Sequence, residues 1–377
     1  MKKVFYLSFY YKNESDTTLR TYSLAGASKA DYICQCLLDD GYEVEIISPC
    51  VATEGKFLPS ETVVYPNRLK LRLFASLRAK TKVGRAFRRI FTQCSVFTYL
   101  IRHLKQHETL IVYHSLYYCG IVRLVKWITK CNLVLEVEEI YSDVMENGQK
   151  KRAKEISFFK CADSYIFPTE LLADSINDST KKQVIVHGIY NCSTIHQGEK
   201  TDGFIHCVYA GTLDPRKGGA MAAVAVANHL PATYCIHILG RGSTRQTHEL
   251  LTQIEQTNQT SQCKVTYDGV LTGEAFSQFL CSCHIGLSTQ NPNALFNNTS
   301  FPSKILTYLC NGLKVVSAKI PVVEQSAISA EITFYEEQTP ETVADAILNV
   351  KLDGNDSKDL IRKLDLECKK ELAQLIG

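Results

Sequence analysis

The stretch Val208–Gly219, VYAGTLDPRKGG, decides how the rest of the chain is read. An apolar run of strand type ends at Ala210. Gly211 opens a turn, and the paired Gly218 and Gly219 start a helix. A strand that passes through a glycine turn into a helix is a βα unit. Arg216 and Lys217 stand at the junction, where two cations suit a diphosphate. The alternative is an ordinary turn with solvated basic residues.

A second junction lies downstream in Pro302–Val316, PSKILTYLCNGLKVV. Pro302 is placed for the first turn of a helix, where a missing N–H costs nothing. Unpaired N–H groups at that end, together with the Lys304 ammonium, make an anion site in which Ser303 and Lys304 receive a phosphate. Gly312 closes the helix where a left-handed residue is wanted, and Val315–Val316 begin another strand.

Outward from these junctions the pattern alternates. Strand-like runs at Val4–Ser8, Glu43–Ser48, Thr109–Tyr113, Leu133–Val137, Ser164–Pro168 and Gln183–Val186 have helix-like segments between them. After a polar break near residue 200 the rhythm restarts, with strands at Ile205–Ala210, Thr233–Leu239, Cys263–Tyr267, His284–Leu287 and Lys314–Ser317. The expectation is an α/β protein of two doubly wound parallel sheets, over residues 1–195 and 204–350, whose strand ends face a cleft. Residues 356–377 read as a final amphipathic helix crossing back to the first domain.

The totals agree. The 377 residues exceed one ordinary core, and a net charge of +3 does not call for nucleic acid. Fifteen cysteines, an odd number with no Cys-x-x-Cys, read as reduced, mostly buried thiols of a cytoplasmic protein. No metal site is expected. The opening MKKVFYLS reads as a first strand rather than a signal peptide, and no apolar run is long enough to span a bilayer.

Charge is uneven. No acidic residue occurs from Thr62 to His107, while Arg68, Lys70, Arg72, Arg78, Lys80, Lys82, Arg85, Arg88 and Arg89 alternate with apolar residues. A solvated helix face is the bland reading. A single sign interleaved with Leu and Phe instead suits an anionic membrane surface, placed at residues 67–107 and putting the protein at the inner face of the cell membrane. RNA is the rival, without a recognisable nucleic-acid module around it.

Taken as a set, these motifs resemble the two-Rossmann-domain (GT-B) glycosyltransferases, close to family 4. The matches are the Ala210-Gly211 strand end with Lys217-Gly218, CIHILGRGS with Gly240 and Gly242, Val265–Gly269, and Pro302–Val316. More loosely, LAGASKADYICQCLLDDGYEVEIIS places Gly26 in a first loop, IVYHS places His114 near a donor sugar, and KCADSYIFPTELLADSI matches a later strand and helix. The resemblance implies a retaining, metal-independent transferase of bacterial surface-polysaccharide type. It would take a nucleotide-diphosphate sugar as donor, with no other cofactor, and a lipid-linked saccharide as acceptor. Lys217 and Lys304 would hold the diphosphate, helped by Ser303 and neighboured by Arg216. Gly26, Gly211 and Gly240 would border the donor, and His114 would face the sugar through a ring nitrogen or its backbone carbonyl. Thr212 stands at the family's usual Arg. Thr299 and Thr307 stand at its usual Glu pair, so a hydroxyl replaces the ribose-binding carboxylate. Glu136, Glu138 and Glu139 stand where the family has His-Asp. Of these, Glu138 and Glu139 are the candidates for acceptor hydroxyls, and one of the three reads equally as a solvated strand end. A catalytically silent donor-binding partner and a nucleotide-sugar epimerase of the same fold are the other readings.

Overall fold

The structure is a computed structural model that describes residues 2–12, 19–53, 57–79, 81–144, 149–177, 181–192, 194, 202–215, 218–293, 297, 299–353 and 357–377. The chain forms two compact units, Met1–Val186 with Glu367–Gly377, and His187–Leu366.

The first unit runs β1 (Lys3–Leu7), α1 (Leu24–Asp39), β2 (Glu43–Ser48), β3 (Phe57–Leu58), β4 (Glu61–Val64), β5 (Leu69–Leu73), β6 (Ser76–Leu77), α2 (Lys82–His103), β7 (Thr109–Tyr113), α3 (Cys119–Thr129), β8 (Asn132–Glu136), α4 (Tyr141–Val144), α5 (Gln149–Phe159), β9 (Ser164–Phe167), α6 (Glu170–Ile176) and β10 (Lys182–Ile185). Its main sheet has the order β10-β9-β8-β7-β1-β2-β5-β4, parallel throughout except for the antiparallel edge strand β4. Strands such as Val4–Leu7 and Leu133–Glu136 are buried along their whole length, because helices cover both faces of a parallel sheet. Helix starts are set by local chemistry: the hydroxyls of Ser23, Thr81 and Thr169 accept from amides in the first turns of α1, α2 and α6. The chain grows outward from β1 to β2 and β5, then returns to the other side of β1 at β7. That reversal is the switch point.

The second unit runs β11 (Ile205–Thr212), α7 (Gly219–Ala225), β12 (Tyr234–Arg241), α8 (Thr244–Thr260), β13 (Lys264–Gly269), α9 (Gly273–Cys281), β14 (Ile285–Ser288), α10 (Lys304–Cys310), β15 (Lys314–Ala318), α11 (Pro321–Glu324), β16 (Ile332–Tyr335) and α12 (Pro340–Leu348). All its strand pairs are parallel, in the order β13-β12-β11-β14-β15-β16, so its switch point lies between β11 and β14. The last helix, α13 (Ser357–Ile376), is divided between the units: residues through Leu366 group with the second, and Glu367 onward with the first.

The basic segment is not one surface. Arg68 donates to the carbonyls of Gly41 and Leu38, Lys70 bonds Glu43 at 2.7 Å, and Arg72 donates to Thr62 at 2.8 Å. These three cations hold the β2–β5–β4 edge together. Lys80 lies outside the described residues. The free-standing part is the start of α2, where Val83, Phe87 and Ile90 are 80%, 70% and 60% exposed beside the exposed Lys82, Arg85 and Arg89. No described helix is long and apolar enough to cross a membrane.

Candidate functional site

In the second unit, β11 and β14 pair only at Cys207–Ile285 and Val208–Gly286 and then part. The opening is filled from α10. The Tyr308 hydroxyl accepts from the Ala210 N–H at 2.7 Å and donates to the Leu287 carbonyl at 3.3 Å, replacing the ladder between the two strands. Gly286 makes room for it, since a Cβ there would lie 2.2 Å from Tyr308 Cγ.

Beside it, Tyr209 carries Lys304. The ammonium sits 4.4 Å from the Tyr209 ring centroid. Burial pushes the Tyr209 phenol up to about 12, so the ring is neutral and offers its electron-rich face to the cation. The Tyr209 hydroxyl donates to the Thr212 carbonyl at 3.1 Å. Lys304 is therefore aimed at the carboxyl end of β11. The neighbouring loops are tied together there: the Thr289 hydroxyl donates to the Gly219 carbonyl at 2.7 Å, and Gln338 donates to the Thr289 carbonyl at 2.7 Å. Arg216 and Lys217 belong to the loop between β11 and α7 but lie outside the described residues.

Three details differ from the sequence reading. Pro302 is not in the first turn of α10. Ser303 occupies the N-cap, with helical φ and ψ and no side-chain cap bond, because the Ile305 N–H bonds back to the Pro302 carbonyl and tightens the entry. The helix spans only Lys304–Cys310, so the cation rather than a long macrodipole carries the positive charge. Thr307 turns its hydroxyl back onto the Ser303 carbonyl at 3.3 Å. Gly312 does end the helix as expected, at φ +80°, with Leu313 N–H bonded to Tyr308 O and Gly312 N–H to Leu309 O.

Gly211 and Gly240 face each other across β11 and β12, and a Cβ on Gly240 would lie 1.8 Å from the Gly211 carbonyl oxygen. Close packing within the sheet demands glycine at position 240 by itself. Thr212 is exposed at the end of β11.

In the first unit, Gly26 is a buried residue in the first turn of α1, not a loop residue; its amide is the one that Ser23 caps, and Tyr113 packs against it. The His114 ring is 1% exposed, walled by Tyr141, Phe158 and Phe159. Its Nε2 bonds Glu155 at 2.7 Å, while its Nδ1 is buried without a hydrogen-bond partner among the described residues. Glu155 is buried too. Burial alone would raise its carboxyl, but the His114 ring and the Ser142 amide outweigh that and hold it below the usual range.

Glu136 is not a solvated strand end. It is fully buried at the end of β8, where Tyr6 donates to it, and burial pushes its carboxyl up to about 7 against the pull of Lys29. Glu138 is partly exposed and paired with Lys29, which also donates to the Val186 carbonyl at 3.0 Å. Glu139 is half-buried beside it. The structure thus groups Glu136, Glu138 and Lys29 close to one another near the ends of β7 and β8. Lys29, Tyr6, Tyr209 and Glu155 were not singled out from the sequence. Lys29 had a signal there: it stands next to Ala30 and four residues before Ile33, on the apolar side of α1.

No protein-family model and no curated protein sequence matches the chain. Solved structures do. The chain is similar to α,α-trehalose 6-phosphate synthase from Burkholderia multivorans, with a TM-score of 0.68 and 12% identity over 100% of this chain and 96% of that one. It is similar to a glycosyltransferase from Rickettsia africae ESF-5, with a TM-score of 0.62 and 10% identity over 100% and 95%. A third is Anabaena Alr3699/HepE, solved with UDP and glucose, with a TM-score of 0.58 and 10% identity over 100% and 97%. At such identities the shared property is the fold. The chain is an α/β protein with the GT-B fold, two doubly wound Rossmann-like units.

Proposed function

We propose that this protein is a retaining glycosyltransferase, of the family 4 kind, that takes a nucleotide-diphosphate sugar as donor and a lipid-linked saccharide as acceptor. The observation that carries the reading is Lys304 seated on Tyr209 at the switch point of the second sheet. That is where open α/β sheets bind nucleotides, and a fixed cation there stabilises a departing diphosphate. By its place in the sequence motif Lys217 is assigned as the second cation of the donor site, and the exposed Ser303 hydroxyl is a further donor to a phosphate oxygen. With the two lysines neutralising the leaving group, the chemistry needs no metal.

In the first unit the acceptor is assigned to Glu138 and Glu139, with His114 directed at the sugar through a ring nitrogen or its backbone carbonyl. The exposed start of α2 supports contact with an anionic bilayer, because Val83, Phe87 and Ile90 recur at helical spacing between cations. On this reading the protein works at the inner surface of a bacterial cell membrane, in cell-surface polysaccharide assembly.

Thr307 supports a second reading, a silent donor-binding partner. No carboxylate stands at that position, and its hydroxyl is engaged with Ser303. Incubation with a panel of nucleotide sugars, with and without lipid-linked acceptor, separates the readings. Nucleotide release that depends on acceptor supports the transferase. Tight binding of nucleotide with no turnover of any donor, with or without acceptor, overturns it in favour of the silent partner. Conversion of the sugar without acceptor indicates an epimerase.

A further inference from the structure

The first unit contains a cavity of about 400 Å³ that the sequence did not announce, lined by Arg89 of α2, Ser115, Tyr117 and Cys119 after β7, Tyr141 of α4, and Lys151 and Lys154 of α5. Its size is that of a small-molecule pocket. It opens beside the segment that follows the carboxyl end of β7, on the side of the sheet where doubly wound units bind ligands.

Its charge is one-sided. Three cations from two separate helices line it, and among the described residues no carboxylate does. Among the described residues neither Lys151 nor Lys154 has a carboxylate partner within ion-pair distance. Arg89 stands 5.1 Å from the centroid of the Tyr117 ring, which holds the guanidinium at the rim. The acid behind the wall, Glu155, is buried and fully engaged by the His114 ring and by the amides of Tyr141 and Ser142, each amide at 2.9 Å. It is not available to neutralise the lysines. Unpaired cations converging on a concave site lower the free energy of an anion held there, and a guanidinium with two ammonium groups matches a phosphate. Tyr117 and Tyr141 supply apolar ring surface of the kind on which a sugar packs.

We propose that this cavity binds the phosphate of the acceptor, with Lys151 and Lys154 on one side of the phosphate and Arg89 on the other. This rests on the transferase reading only in naming the ligand an acceptor. The phosphate comes either from a soluble sugar phosphate or from the linkage between a saccharide and its lipid. The exposed apolar stripe on the same helix as Arg89 suits the second source.

The experiment is isothermal titration of the full chain with glucose, glucose 6-phosphate and farnesyl phosphate, without any nucleotide sugar. Lys151→Gln/Lys154→Gln removes two solvent-exposed charges that hold no ion pair among the described residues, so the variant folds. It is expected to weaken the phosphorylated probes by about tenfold or more, whereas Lys304→Ala leaves that component unchanged. Tighter binding of farnesyl phosphate than of glucose 6-phosphate supports the site with a lipid-borne phosphate, and the reverse order supports it with a soluble one. Equal binding of glucose and its phosphate, or a double variant that binds like the wild type, overturns the site. Intact lysine-dependent binding with no turnover of any nucleotide sugar sinks the transferase reading instead and leaves this one standing.

Discussion

The Tyr308 hydroxyl lies 2.7 Å from the Ala210 amide nitrogen and stands in for a strand neighbour that β11 lacks at that point. Removing the hydroxyl strands that N–H and reduces the bonding of the Leu287 carbonyl. Tyr308→Phe is therefore expected to lose about 1–3 kcal/mol in urea unfolding, with an unchanged m-value. A loss below about 0.5 kcal/mol would show that water serves the amide equally well.

Gly240 is predicted to act through stability rather than through the donor. A Cβ 1.8 Å from a backbone oxygen has no flexible neighbour to push aside. Gly240→Ala should lower the melting temperature steeply or abolish soluble protein. A variant that melts like the wild type but has a raised donor KM would return this glycine to the nucleotide site.

Lys304→Ala should do the opposite. The side chain is half-buried on a ring face, so its loss costs stability only on the order of 1 kcal/mol. In a transferase the loss of transition-state charge stabilisation would be about tenfold or more in kcat/KM. An unchanged kcat/KM for the donor removes this lysine from the chemistry.

Glu136 makes stability depend on pH. Its carboxyl is raised to about 7 in the fold, chiefly by burial, against an ordinary value of 4.5. Between those values the folded state holds a proton that the unfolded state has released. The stabilisation is complete below about pH 4.5 and is lost as pH rises through 7, on the order of 1–3 kcal/mol in all. Glu136→Gln keeps the shape and the bond from Tyr6 without the titration. Unfolding curves for the two proteins should diverge from pH 5 to pH 8, with the variant gaining ground at the alkaline end. Parallel pH profiles would mean the carboxylate is charged in the fold.

The start of α2 should bind vesicles. Burying Phe87 and Ile90 in the interface is worth roughly 1.5–3 kcal/mol each, and each nearby cation about 1 kcal/mol on an anionic surface. Phe87→Asp/Ile90→Asp is expected to abolish co-sedimentation with anionic liposomes while leaving the melting temperature unchanged, since both side chains are exposed. Binding that ignores anionic lipid, or that RNA outcompetes, points away from a membrane.

Much of the second unit was legible in the sequence because its signals are local. Gly312 at a helix end and the βα junction at Gly211 depend on the conformation of a few residues. The fold class followed from alternation of the same kind. Pairwise chemistry across the sheet was not legible. Nothing near position 308 in the chain says that its hydroxyl completes β11, about a hundred residues earlier. The acids after β8 show the same limit. Glu136 and Glu138 are two residues apart, but β8 ends at Glu136: one is sealed under Tyr6, while the other, beyond the strand end, is partly exposed and pairs with Lys29. The basic run was legible only in part for a related reason: a charge count cannot tell Lys70, paired with Glu43, from Arg85 in solvent.

The division of α13 has a consequence for biosynthesis. Its last turns, through Leu372 and Ile376, are buried in the unit that begins with β1, and Lys369 comes within 3.7 Å of Asp39 there. A ribosome delivers that first unit's sheet early, yet must make the whole of His187–Leu366 before the closing helix arrives, a wait on the order of ten seconds. Over that interval the surface that Leu372 and Ile376 will cover is bare. The second unit is continuous in the chain, so the order of completion is inverted: the part translated last but one is finished first.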